Sequence, residues 1–173
     1  MPTLWRSRGV EQLEFADFYL NSRDVCLRAV LASVVDRSLA EDLVAEAFTR
    51  ALMSWPKISR HPAPRAWVVR TALNTRVSWW RKHRLEVPLG VSAYMTAAAE
   101  AVIDVDPGLL RVLRQLPRRQ REVIAVPVFL DLDTRATAEL LGISEGTVKA
   151  HLSRAVATLR VQLIDQRQTE VSP

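Results

Sequence analysis

Apolar residues recur every three or four positions along almost the whole chain, and no segment alternates regularly between apolar and polar residues. That spacing is typical of amphipathic helices, whereas a half-buried strand would show a period of two. The pattern therefore predicts an all-α fold. In the first half it predicts helices over residues 11–35, about 38–54 and about 64–84, and the first of these is either one helix or a pair with a break near Asn21 and Ser22.

Local signals mark where these helices begin and end. The tetrapeptide from Ser38 to Glu41 has the form of a capping box, in which the two side chains accept hydrogen bonds from free amides at a helix start. The stretch 55–64 contains three prolines and is predicted to interrupt the helices, because proline lacks the N–H that a continuing helix needs. Residues 85–105 include a proline, a glycine and an alanine-rich run without any basic residue. This segment is predicted to be a linker.

Capping signals also define the start of the second half. Asp106 is predicted to cap a helix that has Pro107 in its first turn, where a missing N–H costs nothing. The next helix begins at Pro117, and Pro127 late in that helix predicts a kink or an early stop. The polar tail from Gln166 is predicted to be frayed.

The stretch LLGISEGTVKAHLSRAVATLR, residues 140–160, predicts two helices joined by a tight turn, at about 134–141 and 145–164. Asp133 would cap the first helix, and Gly142 would end it in the left-handed conformation. Ser144 would cap the second helix. The apolar stripe of that second helix consists of Val148, Leu152, Ala155 and Leu159. The combination predicts a helix-turn-helix.

The opposite face of this second helix has the composition of a DNA-binding surface. Ala150 and Ser153 are small enough to let the helix enter a major groove, and Lys149 and Arg154 beside them would reach bases or phosphates. His151 lies nearer to the apolar stripe and would serve equally well as a packing residue. The candidate DNA contacts in this helix are Thr147, Lys149, Ala150, His151, Ser153 and Arg154.

Charge is concentrated in one part of the chain. The net charge is +5, and residues 56–90 contain eight basic side chains against one acidic side chain. A block this one-sided, interleaved with tryptophans on a predicted helix, favours a nucleic-acid-binding surface over an ordinary solvated face. Its helix has a polar face that would suit an opened single strand. The apolar stripe beside that face should be core and consists of Ala66, Val69, Leu73, Val77 and Trp80. The candidate contacts in this half are Arg65, Trp67, Arg70, Asn74, Ser78 and Arg81.

Composition narrows the class of protein further. No run of 18 apolar residues and no signal-peptide pattern occur, so a cytoplasmic protein is expected. The single cysteine, Cys26, lies in an apolar helical pattern and is predicted to be a buried thiol. One cysteine and three scattered histidines are too few for a zinc cluster or a disulfide framework. Since no pairing of nucleophile and base is evident, the chain is predicted to be neither an enzyme nor dependent on a metal or cofactor.

Two matches in the chain resemble the extracytoplasmic-function (group 4) sigma factors of bacterial RNA polymerase, in particular the actinobacterial sigma-E-like subfamily. The match to their region 2 comprises AEDLVAEAFTRAL and RAWVVRTALNTRVSWWRKHR, and the match to their region 4 comprises LPRRQREVIAVPVF and TAELLGISEGTVKAHLSRAVATLR. The resemblance implies two small helical domains joined by a linker. They would be sigma region 2 over 1–84, a linker over 85–105, sigma region 4 over 106–165 and a frayed tail over 166–173.

The resemblance also implies a function and partners. Region 2 would bind the clamp helices of core RNA polymerase, open the downstream promoter element and contact an unpaired base, with Trp67 either beside the melted bases or in the core. Region 4 would bind the polymerase flap and contact the upstream element as a duplex. The chain would be a monomer when bound to core polymerase, and an anti-sigma factor is a possible further partner.

One acidic face is a candidate for the polymerase contact. Asp42 and Glu46 lie four residues apart on one face of the second predicted helix, so their carboxylates could meet arginines of a partner helix. Alternatively, Asp42 only complements the helix dipole and Glu46 is solvated. With the resemblance, the predicted polymerase contacts are Asp42, Glu46 and Arg50.

The chain departs from the family pattern in a few places. Ala45 replaces a common glutamine in the second helix, and Thr137 replaces a branched apolar residue in the first helix of the helix-turn-helix. Asp131 stands where the family usually has glycine, and aspartate tolerates the left-handed conformation better than most residues. Pro127 and Thr137 affect the packing of region 4, and neither lies in the DNA-contacting helix.

Two alternatives remain open on the sequence. The helix-turn-helix alone is equally similar to the output domain of LuxR-type regulators, which bind duplex DNA without a polymerase. A helical adaptor that binds polymerase without contacting DNA is the second alternative. Transcription from a defined start site by core polymerase with this chain separates a sigma factor from both.

Overall fold

A computed structural model of the chain describes residues 3–83 and 105–170, and it describes side chains over 13–75 and 105–162. Helices and short connections make up these ranges, and no strand occurs in them, so the all-α prediction is confirmed. None of the helices within the described ranges is long and apolar enough to cross a membrane. The helices are α1 (Thr3–Val34), α2 (Arg37–Met53), α3 (Trp55–Ile58), α4 (Pro64–His83), α5 (Pro107–Arg114), α6 (Arg118–Leu130), α7 (Thr134–Leu141) and α8 (Glu145–Glu170).

Helix α1 runs without interruption through the position of the predicted break. The Asn21 side-chain amide donates to the carbonyl of Asp17 at 2.8 Å, one turn earlier, and so remains compatible with the helix. The buried Ser22 hydroxyl accepts a hydrogen bond from Nε of Arg65 at 3.1 Å. Of the two forms predicted for this segment, the single helix is confirmed, and the two polar residues form the docking point for the start of α4.

Helix α2 begins one residue before the predicted capping box. The carboxylate of Asp36 accepts from the amide of Leu39 at 2.9 Å, so Asp36 is the N-cap and Ser38 lies inside the helix. Glu41 pairs with Nε of Arg37 at 2.9 Å instead of reaching back to a free amide. The capping-box prediction was wrong because aspartate caps as well as serine does, and it stands where the chain is extended.

The proline-rich stretch after α2 contains a single turn of helix, α3, which the sequence did not predict. Pro56 lies in the first turn of α3, and Pro64 is the first residue of α4, so both prolines start helices. Helix α4 begins at Pro64, as predicted, and is described as far as His83.

The predicted caps in the second half are confirmed. The carboxylate of Asp106 accepts from two amides in the first turn of α5, at 3.0 and 3.2 Å. Asp133 accepts from an amide of α7 at 2.7 Å, and Gly142 ends that helix in the left-handed conformation with φ 65°. The Ser144 hydroxyl accepts from the amide of Thr147 at 3.1 Å and so caps α8.

Two predicted helix ends differ from the structure. Helix α6 passes through Pro127 and continues to Leu130, so the early stop does not occur. The helix ends at Asp131, which adopts the left-handed conformation with φ 52°, as expected for the residue that replaces glycine. Helix α8 continues to Glu170, so residues 166–170 are helical where the sequence predicted fraying.

The core of the N-terminal half, α1 to α4, is formed by α1, α2 and α4 together with Trp55 and Ile58 of α3. Cys26 is fully buried there, as predicted, and burial raises the pKa of its thiol to about 12, although the charge of Arg65 partly opposes that shift. Of the stripe predicted for α4, Val69 and Leu73 are buried and Ala66 packs at the edge of the core. The remaining two members, Val77 and Trp80, lie outside the residues with described side chains.

The C-terminal half, α5 to α8, packs directly against the N-terminal half, with α6 on α1 and α7 on α4. Val126 of α6 and Leu140 of α7 belong to the same buried cluster as the core of the N-terminal half. Ala32 of α1 is buried in a second cluster made otherwise of residues from the C-terminal half. The chain therefore has a closed arrangement in which the two halves share a core.

Two arginines of the C-terminal half bind the end of α1. Arg121, only 9% exposed, donates from Nε to the carbonyl of Ser33 at 2.9 Å and from Nη1 to the carbonyl of Leu116 at 2.6 Å. Arg114 donates to the carbonyl of Val35 at 3.4 Å. The last carbonyls of a helix lack intrahelical donors and carry partial negative charge, so cationic donors from another helix stabilise that end.

The predicted linker, 85–105, falls almost entirely outside the described residues. Its last residue, Val105, is described and is buried in the cluster that contains the core of the N-terminal half.

Candidate nucleic-acid and polymerase interfaces

Helix α8 presents a polar face built around small residues. Lys149, Ala150, Ser153 and Arg154 are all exposed. The helix is held from its other side, where Val148 and Ala155 are buried against α6 and α7. Because the caps at Gly142 and Ser144 set the turn before α8, the four exposed residues project from a rigid element.

One member of the predicted apolar stripe of α8 differs from expectation. Leu152 is 38% exposed, whereas Val148 and Ala155 are buried and Leu159 is partly buried against the second cluster. The prediction that Leu152 faces the core was therefore wrong. The stripe residues are spaced four, three and four positions apart, and this spacing places Leu152 near the edge of the stripe. Partner helices cover only part of a side chain in that position.

Thr147 and His151, the other two residues predicted in α8, are partly buried. The Thr147 hydroxyl lies 2.8 Å from that of Ser144, so it takes part in the cap. The Nδ1 atom of His151 is buried and has no hydrogen-bond partner among the described residues. The structure thus brings His151 closer to the packed side of the helix than to the exposed face.

Helix α4 exposes Arg65, Arg70 and Asn74 among its predicted contacts. Arg70 and Asn74 are exposed and lie four residues apart, so they share one side of the helix. Trp67 is partly buried and packs against the core of the N-terminal half. The side chains of Ser78 and Arg81 lie outside the described range.

Arg65, at the start of α4, has a structural role that the sequence did not indicate. Besides its bond to Ser22, it donates from Nη2 to the carbonyl of Asn21 at 3.0 Å. These two bonds attach the first turn of α4 to the middle of α1. The side chain remains exposed on its outer side, so part of the guanidinium still faces solvent.

A pocket of about 280 Å³ lies where α4 of the N-terminal half meets α6 and α7 of the C-terminal half. Arg70 and Asn74 line it together with Arg118 and Arg119. Glu122 is fully buried and pairs with Nε of Arg118 at 2.6 Å and with Nη1 of Arg119 at 2.8 Å. The sequence did not identify Arg118, Arg119 and Glu122 as site residues. The basic run PRRQR was visible in it, but the position of that run opposite α4 was not.

Helix α2 carries the predicted polymerase contacts on its exposed side. Asp42, Glu46 and Arg50 are exposed, and Nε of Arg50 pairs with the Glu46 carboxylate at 2.7 Å. The pKa of Asp42 is raised, mainly because its carboxyl group is partly desolvated and further because Glu41 and Asp36 are close. Asp42 has no ion-pair partner within the described part of the chain.

The chain matches two family models in the order expected for a sigma factor. The model of sigma-70 region 2 matches residues 22–86, and the model of sigma-70 region 4 matches residues 108–159. These segments contain α2 and α4 with their exposed polar faces, and the helix-turn-helix of α7 and α8, respectively. A match to both regions does not favour a stand-alone regulator or an adaptor.

Several curated proteins are similar over most of their length. The RNA polymerase sigma-E factor of Streptomyces coelicolor is 36% identical over 157 residues, which cover 89% of this chain and 88% of that protein. The sigma-E factor of Streptomyces avermitilis is 34% identical over 155 residues, covering 88% and 87%. The ECF sigma factor SigM of Bacillus subtilis is 28% identical over 153 residues, covering 85% and 91%.

Solved structures show the same fold. The sigma factor RpoE in complex with the anti-sigma factor NepR from Bartonella quintana superposes with a TM-score of 0.66 at 20% identity, covering 87% of this chain and 96% of that one. CnrH in complex with the cytosolic domain of CnrY gives 0.63 at 21% identity, covering 89% and 90%. The chain belongs to the extracytoplasmic-function sigma factors of the sigma-70 family, and it directs RNA polymerase to promoters.

Proposed function

We propose that the two halves of this sigma factor divide promoter recognition between them. Residues 1–84 would act as region 2 on the downstream element, and residues 106–165 would act as region 4 on the upstream element. The observation that supports this division is the presence of two separate exposed polar faces, one on α4 and one on α8. Each lies on a helix whose opposite stripe is buried, so each is positioned by a packed core.

The face of α4 would bind the opened non-template strand. Arg70 would donate to phosphates, as would Arg81 and the outer side of Arg65, because a guanidinium can only donate. Asn74 offers a donor and an acceptor and so can distinguish base edges, and Ser78 would add a hydroxyl. Trp67 would support the bases from its packed position. A base is cheaper to extrude from a strand that is already open, so single strands are favoured over duplex.

Substitutions on α4 test this assignment in holoenzyme assembled from the full chain and core polymerase. Asn74→Ala is expected to reduce the preference among bases in a single-stranded downstream oligonucleotide more than it reduces affinity. Arg70→Ala should lower the affinity and flatten its salt dependence, because one phosphate contact is lost. The measurement is fluorescence anisotropy with matched single-stranded and duplex oligonucleotides at two salt concentrations.

Arg28→Ala is the matched control, because Arg28 lies on α1, where its Nε donates to a carbonyl of its own helix. It should bind like the unmodified chain. Tighter binding of the duplex than of the single strand, with Asn74→Ala unchanged in base preference, would contradict the assignment of this face.

The acidic side of α2 would bind core polymerase. Asp42 is the principal contact, because its carboxylate lies beside other acids and has no cationic partner among the described residues. An arginine on a partner helix would supply that cation. Glu46 is already paired with Arg50, so it would contribute less, and Arg50 would orient Glu46 or meet an acid on the partner.

The Asp42→Asn variant separates binding from stability. A raised carboxyl pKa means that the folded state disfavours the charged form of Asp42. The charged carboxylate therefore lowers the free energy of unfolding slightly at pH values above that pKa, and this destabilisation disappears as the pH falls. Removing the charge should therefore leave the unfolding midpoint at pH 7 unchanged or slightly higher, and should make it less pH-dependent near the pKa. Affinity for core polymerase should fall by about tenfold, the effect of losing one interfacial ion pair.

Binding of core polymerase is measured by competition with a labelled sigma factor, and unfolding by circular dichroism. Glu139→Gln on α7 is the control, since it removes an exposed acid that pairs only with Arg135. Equal affinity of Asp42→Asn and the unmodified chain for core polymerase would exclude Asp42 from the interface.

The remaining proposals concern an anti-sigma partner, the cellular location, and the lack of a cofactor and of catalytic activity. The solved relative RpoE is a sigma factor bound to the anti-sigma factor NepR, and we propose that a protein of that kind also controls this chain. The sigma factor would act in the cytoplasm as a monomer on core polymerase. It would require neither a metal nor a cofactor and would catalyse no reaction itself, because the polymerase performs the chemistry.

A further inference from the structure

The pocket between the two halves concentrates positive charge. Arg70 enters it from α4, and Arg118 and Arg119 enter it from the first turn of α6. Glu122 is the one acid among the lining residues, and it pairs with both arginines of α6. Arg70 has no ion-pair partner in the described part of the chain. Three guanidinium groups thus face one carboxylate, a formal excess of two positive charges.

The donors in this pocket are only partly used. Arg118 and Arg119 each donate through one nitrogen to Glu122, and a guanidinium carries five N–H groups in all. The Asn74 amide adds two neutral donors. Guanidinium groups bind phosphate with paired, charge-assisted hydrogen bonds, and an anion would also relieve the repulsion among the three like charges.

The dimensions and walls of the pocket indicate a small ligand. A volume of about 280 Å³ is at the lower end for ligand pockets, and a duplex could not enter. Leu73, Leu140 and Leu141 form the rest of the lining, so water is partly excluded and the ionic contacts are strengthened. We propose that this pocket binds a small diphosphate-bearing anion through Arg70, Arg118 and Arg119.

Such an anion would stabilise the closed arrangement. It contacts Arg70 of one half and Arg119 of the other at the same time, so it binds only when the halves are together. Mass action then favours the closed form as the anion concentration rises. A second consequence rests on the proposed function: because Arg70 and Asn74 are also the proposed contacts for single-stranded DNA, the anion and the DNA would compete.

Inorganic pyrophosphate is the probe, and the sample is the full-length chain without polymerase or DNA. At constant ionic strength, maintained with sodium chloride, pyrophosphate should raise the thermal unfolding midpoint and the effect should saturate. Isothermal titration gives the dissociation constant. In Arg70→Gln and in Arg119→Gln this constant should rise about tenfold or more, as expected for the loss of a charge-assisted hydrogen bond.

The control is Arg135→Gln, which removes one equally charged and exposed guanidinium outside the pocket. It should bind pyrophosphate like the unmodified chain. Arg70→Gln is expected to fold like the unmodified chain, because Arg70 has no ion-pair partner to lose within the described residues. A thermal unfolding midpoint that rises without saturation would overturn the proposal. A dissociation constant for pyrophosphate that rises as much in Arg135→Gln as in Arg70→Gln and Arg119→Gln would also overturn it.

Competition with DNA distinguishes this inference from the proposed function. Pyrophosphate should displace a labelled single-stranded oligonucleotide from the full-length chain, and it should do so less effectively from Arg119→Gln. If pyrophosphate binds the pocket but leaves the DNA in place, the pocket proposal stands, and the assignment of Arg70 and Asn74 to DNA is wrong.

Discussion

Replacing Arg121 with methionine is expected to lower the free energy of unfolding by about 2–4 kcal/mol, because two buried carbonyl oxygens lose a charged donor. These are the carbonyls of Ser33 on α1 and of Leu116, to which Arg121 donates at 2.9 and 2.6 Å. Methionine retains most of the side-chain volume, so the loss reports mainly on the hydrogen bonds. Urea unfolding measures the change in free energy.

The same substitution should loosen the two halves. Small-angle scattering should show a larger radius of gyration for Arg121→Met than for the unmodified chain, because α6 loses its hydrogen bond to the carbonyl of Ser33 at the end of α1. Arg111→Met is the control, since Arg111 is an exposed arginine of α5. If Arg121→Met keeps both the urea midpoint and the radius of gyration of the unmodified chain, the closed arrangement does not depend on this arginine.

Arg154→Ala is expected to reduce discrimination between the correct upstream element and a mutated one by about 1–3 kcal/mol if Arg154 contacts a base. Arg154 is exposed on α8 beside Ala150 and Ser153, and two small residues let the helix backbone approach the groove closely. Lys149→Ala should have a similar or smaller effect, since lysine lacks the bidentate geometry of arginine. Holoenzyme binding to the two duplexes is measured at a fixed salt concentration.

The loss of holoenzyme affinity for each of the two duplexes identifies the type of contact that Arg154 makes. A loss confined to the correct sequence indicates a base contact, whereas equal loss on both sequences indicates a phosphate contact. Arg111→Ala on α5 controls for the removal of a positive charge from the same half. Unchanged recognition in both Arg154→Ala and Lys149→Ala would remove this face of α8 from the DNA interface.

Local interactions explain why much of the fold was predictable from the sequence. The caps at Asp106, Asp133 and Ser144 form between neighbouring residues, and the left-handed turn at Gly142 depends on that residue alone. Periodicity is likewise a local property, so α7 was predicted with the bounds that it has and α4 with its first residue.

The error in the cap of α2 also has a local cause. Asp36 and Ser38 are both good caps, and short-range signals do not decide between two candidates two residues apart. The choice between one helix and a pair at Asn21 and Ser22 stayed open on the sequence, because a hydrogen bond to Ser22 from Arg65, 43 residues away, stabilises the continuous helix. Tertiary contacts of this kind override propensity.

The sequence by itself determined the helices other than α3 and the exposed faces of α4 and α8, because each follows from spacing along one element, and the family resemblance indicated the order of the two halves. Only the tertiary structure decided that the halves share a core, that Arg121 binds the end of α1, and that Arg70 meets Arg118 and Arg119 around one pocket. These contacts join residues tens of positions apart. Nothing in the spacing of a helix specifies which other helix covers it, because that choice depends on the shapes and charges of both surfaces together.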